Sequence, residues 1–233
     1  CGILDEKGKF AIPSLREIIQ KRDKYDDLIL NATISALGNI GKNAQVAIPV
    51  LVDILYDPNA DYCLKPNTIM QLCKIHKNSQ LVIPALIEAI KGTLPGVNKP
   101  IVCCGKQSTI SLDKAYCAIR LYAVNFIGKY AAEAKEALPA LIEAMNDKEP
   151  SIRSNAIRSI GDIDMDSEES IQCFIKALED ESTRVQGDAL EILAKLGAKA
   201  SSALPKVIKL LESPNKTLRK EAYETIKKIK GEN

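Results

Sequence analysis

Tryptophan is absent from this 233-residue chain, and aromatic side chains of all kinds make up only 4% of it. A core without large flat rings has to be filled by Ala, Leu and Ile, which suits elements that approach one another closely. Histidine occurs once, at His76, too few for a multi-histidine metal centre. No glycine-rich phosphate loop and no serine or cysteine triad is recognisable. No apolar run reaches the roughly 20 residues that a membrane-spanning helix needs. The net charge of +2 gives no global attraction to nucleic acid or to an acidic membrane. With arginine scarce and tryptophan missing, a nucleic-acid partner is not expected.

Cysteine is plentiful but unorganised. Cys1, Cys63, Cys73, Cys103, Cys104, Cys117 and Cys173 form no paired CxxC element, and two adjacent residues such as Cys103 and Cys104 are poorly placed to hold one tetrahedral ion. The odd number favours a reducing compartment, so a cytoplasmic location is the expectation. The alternative is an exported protein lipid-anchored through Cys1, the residue that signal cleavage leaves at the front of a bacterial lipoprotein. Asp162, Asp164 and Asp166 alternate like the opening of a calcium loop, but Ser167 stands where that loop needs glycine and Cys173 where it needs its last carboxylate. A solvated turn is the expectation there. No metal, cofactor or catalytic residue is assigned.

What the chain does have is a repeat. Residues 137–163, 170–196 and 203–229 superimpose at a fixed offset of 33. A period of that length means one supersecondary unit per repeat, which must bury its apolar face against its neighbours. Each copy divides into two helices. The first follows an early proline, as in Pro139, Leu141, Ile142 and Met145, where a missing amide donor costs nothing. The second buries Ile152, Ala156, Ile157, Ile160 and Ile163, matched by Val185, Ala189, Leu190, Leu193 and Leu196, then by Leu218, Ala222, Tyr223, Ile226 and Ile229.

The form A-[IL]-P-x-L, an aspartate turn, [IVL]-R-x-x-A and a closing glycine is carried by Ala137, Pro139, Leu141, Asp147, Ile152, Arg153, Ala156 and Gly161. With it the chain resembles the HEAT-repeat superfamily, and its short units look most like those of phycobilisome lyases. The resemblance implies an all-α, right-handed α-solenoid of stacked antiparallel helix pairs. About six units are expected in one domain, over 10–46, 47–81, 82–136, 137–169, 170–202 and 203–233. It also implies that Asp147 and Arg153 belong to a ladder joining adjacent repeats, continued in part by Asp180, Arg120 and Arg219 and interrupted by Leu30, Gln186 and Ser213. Relatives that form hypusine use several histidines for two irons, and glycosylase relatives use a basic aromatic groove. Neither set is present, so enzyme activity is not expected.

Unit three departs from the pattern. Ile119 follows Pro84 by 35 positions, against 13 from Pro139 to Ile152, so about 22 residues are inserted, near 92–111, before a helix that Ser111 would cap. Solenoids tolerate such excursions, which often mark a binding face. Tyr122 and Phe126, four residues apart, are expected on one face of that helix.

Function follows only in outline. A curved stack of helices offers an extended surface without any catalytic constellation, so the expectation is a scaffold or adaptor that binds a protein partner. The outward positions of the second helices are the candidate contacts: Asn67 and Gln71, then Tyr122, Asn125 and Phe126, then Asn155 and Arg158, then Asp188 and Glu191. The alternative implied by the resemblance is a bilin or chromophore-protein handling factor.

Overall fold

The structure is a computed structural model and describes residues 8–60, 63–75, 79–96, 102–103, 106–107 and 112–232. Its helices fall into six consecutive pairs. The first of each pair are α1 (Ile12–Gln20), α3 (Ile48–Tyr56), α5 (Ser79–Lys91), α7 (Leu138–Ala144), α9 (Glu168–Ala177) and α11 (Leu204–Lys209). The second are α2 (Asp27–Ile40), α4 (Leu64–Ile75), α6 (Leu112–Ile127), α8 (Pro150–Asp164), α10 (Thr183–Leu196) and α12 (Lys216–Lys230). Pairs one to three form a compact unit ending at Phe126, and the chain from Ile127 onward forms another. Among the described residues the only strand pairing is a two-residue antiparallel ladder, Val102–Cys103 with Lys106–Gln107, inside the insertion. Cys1, His76 and Ser111 lie outside the described residues.

Local chemistry accounts for the helix ends. Pro13, Pro49, Pro139 and Pro205 each occupy the first turn of a first helix, where no amide donor is needed. Unit three differs: α5 starts at Ser79, a turn earlier than the proline suggests, and carries Pro84 in its interior. Among the second helices, Asp26 caps α2 through the Ile29 amide at 2.8 Å and Asn215 caps α12 through the Thr217 amide at 2.9 Å. Ser167 caps α9 in the same way, through the Ser170 amide at 3.2 Å, so the aspartate-rich stretch is the turn into a helix. Its acids are drawn into ion pairs, Asp164 with Lys135 and Asp166 with Lys199.

The apolar stripes predicted from periodicity form the core within each unit. Ile152, Ala156, Ile157, Ile160 and Ile163 are buried, as are Val185, Ala189, Leu190, Leu193 and Leu196. In the last repeat Leu218, Ala222 and Ile229 follow the pattern, but Tyr223, which stands at the position of the buried Ile157 and Leu190, is 56% exposed.

Second helices stack on second helices, α2 on α4 and α8 on α10 on α12, and glycine sets how closely they approach. Gly38 lies inside α2, whose end is Gly41 at φ +68°. A Cβ on Gly38 would stand 2.1 Å from Gln71 Oε1 and 2.7 Å from Gln71 Cβ. The same register position in unit four is Gly161, where a Cβ would meet the flexible end of Ile192 at 3.1 Å. Gly38→Ala is therefore expected to destabilise the N-terminal unit by about 1–2 kcal/mol despite alanine's better helix propensity, since overpacking outweighs it. Gly161→Ala should cost less, because Ile192 can yield. Urea denaturation of both variants checks this, and an unchanged midpoint for Gly38→Ala would contradict the close approach.

A further line of bonds ties every second helix but α2, where Leu30 takes the position, to the end of its own first helix. Lys65 Nζ donates to Leu55 O (2.8 Å), Arg120 Nε to Ile90 O (2.8 Å), Arg153 Nη1 to Asp147 O (2.8 Å) and Arg219 Nη1 to Ser213 O (2.6 Å). Gln186 interrupts the basic line in the sequence, yet its Nε2 donates to Leu178 O at 3.1 Å. What the position requires is a long donor that satisfies the orphan carbonyls of a helix C-terminus, and a neutral amide meets that need. Facing it, Asp57, Asp147 and Asp180 each accept a backbone amide two residues on at 2.8 Å, which shapes the turn between paired helices.

Candidate partner-binding surface

The 33-residue register places the outward side chains of α8, α10 and α12 in rows that cross the helices. Asn155, Asp188 and Glu221 form one row; Arg158, Glu191 and Glu224 the next; Asp162, Lys195 and Lys228 the third. Two grooves run between the helices. One, of about 380 Å³, lies between α8 and α10 and has Arg158, Asp162, Asp188, Glu191 and Lys195 on its walls and Gly161 on its floor. The other, of about 890 Å³, lies between α10 and α12, with Asp188, Glu191, Glu221 and Glu224 in its middle and Lys195 and Lys228 toward one end. Small residues make both grooves possible: Gly187 and Ala194 leave room along α10 where larger side chains would meet α12.

Four of the residues expected from sequence converge here. Arg158 and Glu191 are exposed, and Asp188 and Asn155 half-buried. Asp188 accepts the Ser154 hydroxyl from the neighbouring helix, and Asn155 spends one amide hydrogen on Ser151 O in its own helix at 2.9 Å. Glu191 pairs with Lys195 at 2.7 Å, and the hydrogen bond and charge of that lysine hold its carboxyl below the usual range. Burial pushes the Asp162 carboxyl up, against the pull of Arg158 and Lys195. Asp162, Lys195, Glu221 and Glu224 were missed from sequence, although carrying the register one turn further along each helix would have found them.

The N-terminal unit treats its candidates differently. Gln71 is 1% exposed and does not face outward as expected, because its side chain fills the space that Gly38 leaves. Its Nε2 donates to Asn67 Oδ1 at 2.8 Å, while Asn67 Nδ2 reaches Asn31 Oδ1 at 3.0 Å and Ser35 Oγ at 3.2 Å. Asn67 therefore bonds α4 to α2, while Gln71 holds Asn67 and packs against Gly38 of α2. Tyr122 and Phe126 stack on one face of α6, ring centroids 6.1 Å apart and planes inclined by 9°, beside the exposed Asn125. Most of the insertion preceding them lies outside the described residues.

Among the described residues, no group of three or more His, Cys, Asp or Glu side chains is placed to hold a metal ion, and no helix is long and apolar enough to cross a membrane.

Paired helices stacked through a common register define a helical-repeat protein. The family model for HEAT repeats matches residues 109–194 and 171–233, together more than half of the sequence, and the chain belongs to the HEAT-repeat family. No curated protein matches it. Among solved structures it is similar to a designed armadillo repeat protein in complex with the peptide (KR)4, with a TM-score of 0.61 at 20% identity, over 92% of this chain and 99% of that one. Computationally designed armadillo repeat proteins for modular peptide recognition give 0.56 at 20% identity, over 94% and 100%. An engineered protein gives 0.57 at 18%, over 94% and 97%. These likenesses place the fold in the all-α solenoid class.

Proposed function

We propose that this chain is a non-enzymatic protein-binding module that takes an extended segment of its partner across α8, α10 and α12. The observation that carries this reading is the pair of grooves sharing Asp188, Glu191 and Lys195. A peptide lying over the rows would meet acidic groups in the middle of the grooves and lysines toward one end, above a floor of small residues, and charge segregated in this way selects orientation and register more than it adds affinity. The likeness to designed repeat proteins whose titles name peptide ligands supports the same use of the fold. The stacked Tyr122 and Phe126 give the N-terminal unit an aromatic patch of the kind that anchors interfaces, and supply a second contribution.

Selection of a random 12-residue peptide library against the full chain tests the reading. Enriched peptides are expected to bind at least tenfold more weakly to a Gly187→Trp/Asp188→Arg variant, in which the larger groove is filled and its acidic row broken, a loss of about 1.4 kcal/mol. The variant's melting temperature serves as the check on folding. Peptides that bind it as tightly as the parent would remove these grooves from the proposal. The alternative, bilin or chromophore-protein handling of the phycobilisome-lyase type, rests on residues that build the stack and gains no further side chain from this surface.

A further inference from the structure

One register position is filled differently in the two units. Three residues before Pro13, Pro49 and Pro84 stand Phe10, Val46 and Leu81, which are 87%, 58% and 41% exposed. The same position in the later pairs holds Glu136, Glu169 and Ser202, all exposed. Val46 and Glu169 each belong to a pair with another pair stacked on either side, so exposure is a property of the position and owes nothing to where the chain begins or ends. A place that carries Glu, Glu and Ser in one unit thus carries Phe, Val and Leu in the other. Single exposed apolar residues are ordinary, but three at one register, each with an exposed proline one turn along, make an apolar strip across α1, α3 and α5.

Charge flanks the strip. One turn past each proline stand Glu17, Asp53 and Glu88, where the later pairs carry Glu143, Lys176 and Lys209. Glu17 is taken by Lys21 of its own helix. Asp53 is exposed and meets no partner among the described residues, while the Tyr56 hydroxyl donates to Glu88 at 3.3 Å and holds it between α3 and α5. Lys9 and Lys42 lie in the turns on the other side of the strip. Lys91 stands a further turn beyond the acids, outside the width of a helix, about 10 Å, lying on the strip.

The strip also has a spacing. The first helices pack side by side, and packed helices lie about 8–10 Å apart. Side chains seven apart on a helix repeat at about 10 Å, which matches; alternate residues of an extended strand repeat at about 7 Å, which does not.

We infer that this strip is a docking surface for a basic amphipathic helix of a partner protein, lying across the first helices of pairs one to three and sharing no residue with the grooves. Its apolar side chains, seven apart, cover Phe10, Val46 and Leu81, and lysine or arginine along one flank reaches Asp53 and Glu88. Lys9 and Lys42 set the direction by repelling a basic flank turned toward them. The same acids repel an acidic lipid surface.

The probe is a fluorescein-labelled, alanine-based helical peptide of about 18 residues, enough to span three first helices, with leucine at every seventh position and lysine along one flank. It is titrated into the full chain by anisotropy. The same peptide with glutamate for lysine, and vesicles of phosphatidylcholine and of phosphatidylserine, run in parallel. The lysine peptide is expected to bind, with Kd raised about tenfold in Val46→Ser/Leu81→Ser and about threefold in Asp53→Lys. Both strip positions are exposed, so the serine variant should melt with the parent. Gly187→Trp/Asp188→Arg, which fills the larger groove, should leave Kd unchanged. Absence of binding, an unchanged Kd in the serine variant, a loss in the groove variant, equal binding of the glutamate peptide, or binding to vesicles would overturn the inference. So would a dimer in sedimentation that the serine variant dissociates, since the occupant would then be a second copy of the chain.

Discussion

Arg153→Ala is expected to lower the stability of the C-terminal unit by about 3 kcal/mol, which for a unit of this size is a fall in Tm on the order of 10 °C. The arginine side chain is 7% exposed and serves two repeats at once, bonding the Asp147 and Lys148 carbonyls of its own and, through both nitrogens of its forward edge, Asp180 of the next. Truncation leaves those carbonyls and a half-buried carboxylate without their donor, and the cost of groups left unmet exceeds the net worth of the pair. Arg153→Lys keeps the charge but loses the fork, and should fall between the two.

The pH dependence of this effect has a definite sign. Burial raises the Asp180 carboxyl, but the Arg153 hydrogen bonds, the Ser182 amide and the arginine charge outweigh it and hold the group below its ordinary value. A carboxylate depressed on folding contributes stability that is fully present above its unfolded value and is lost as pH falls through the folded one. The gap between parent and Arg153→Ala should thus be constant near neutrality and narrow below about pH 4. Urea melts at pH 7 and pH 3 measure it; an equal gap at both would separate the arginine's role from the Asp180 charge.

Lys65→Ala is expected to cost the N-terminal unit about 3 kcal/mol. Lys65 is 2% exposed, its ammonium held by Leu55 O and by Pro95 O at the root of the insertion. Its loss removes buried methylenes, at about 0.8 kcal/mol each, and leaves two carbonyls without that donor; release from burying a charge offsets only part. Close by, Gly96 at φ +76° brings the chain so near Pro58 that a Cβ would lie 2.4 Å from its carbonyl oxygen. The insertion is thus rooted on the turn between α3 and α4. Hydrogen exchange should show the amides of Gly92, Thr93, Leu94 and Gly96 opening faster in Lys65→Ala than in the parent, and a melt lowered by less than about 1 kcal/mol would show that Leu55 and Pro95 find other donors.

Lys65 also marks where sequence reasoning stopped short. It stands at the register position of Arg153 without matching the arginine of the repeat motif, and the physical requirement is any long donor, which lysine, arginine and glutamine all meet. Gln71 marks the opposite limit. A polar side chain in the right period reads as outward unless the residue facing it is known, and Gly38 lies 33 positions earlier on another helix.

The sequence by itself determined the repeat, the helix pairs, the proline-led first helices and the apolar stripes, because helical periodicity and local capping are properties of neighbours along the chain. Tertiary structure alone decided which outward positions are free and which are spent between helices, where the grooves open, and that Tyr223, in a buried register, lies exposed. Each of these depends on what stands opposite a side chain, roughly one repeat away, and the pattern within a single helix carries no record of that.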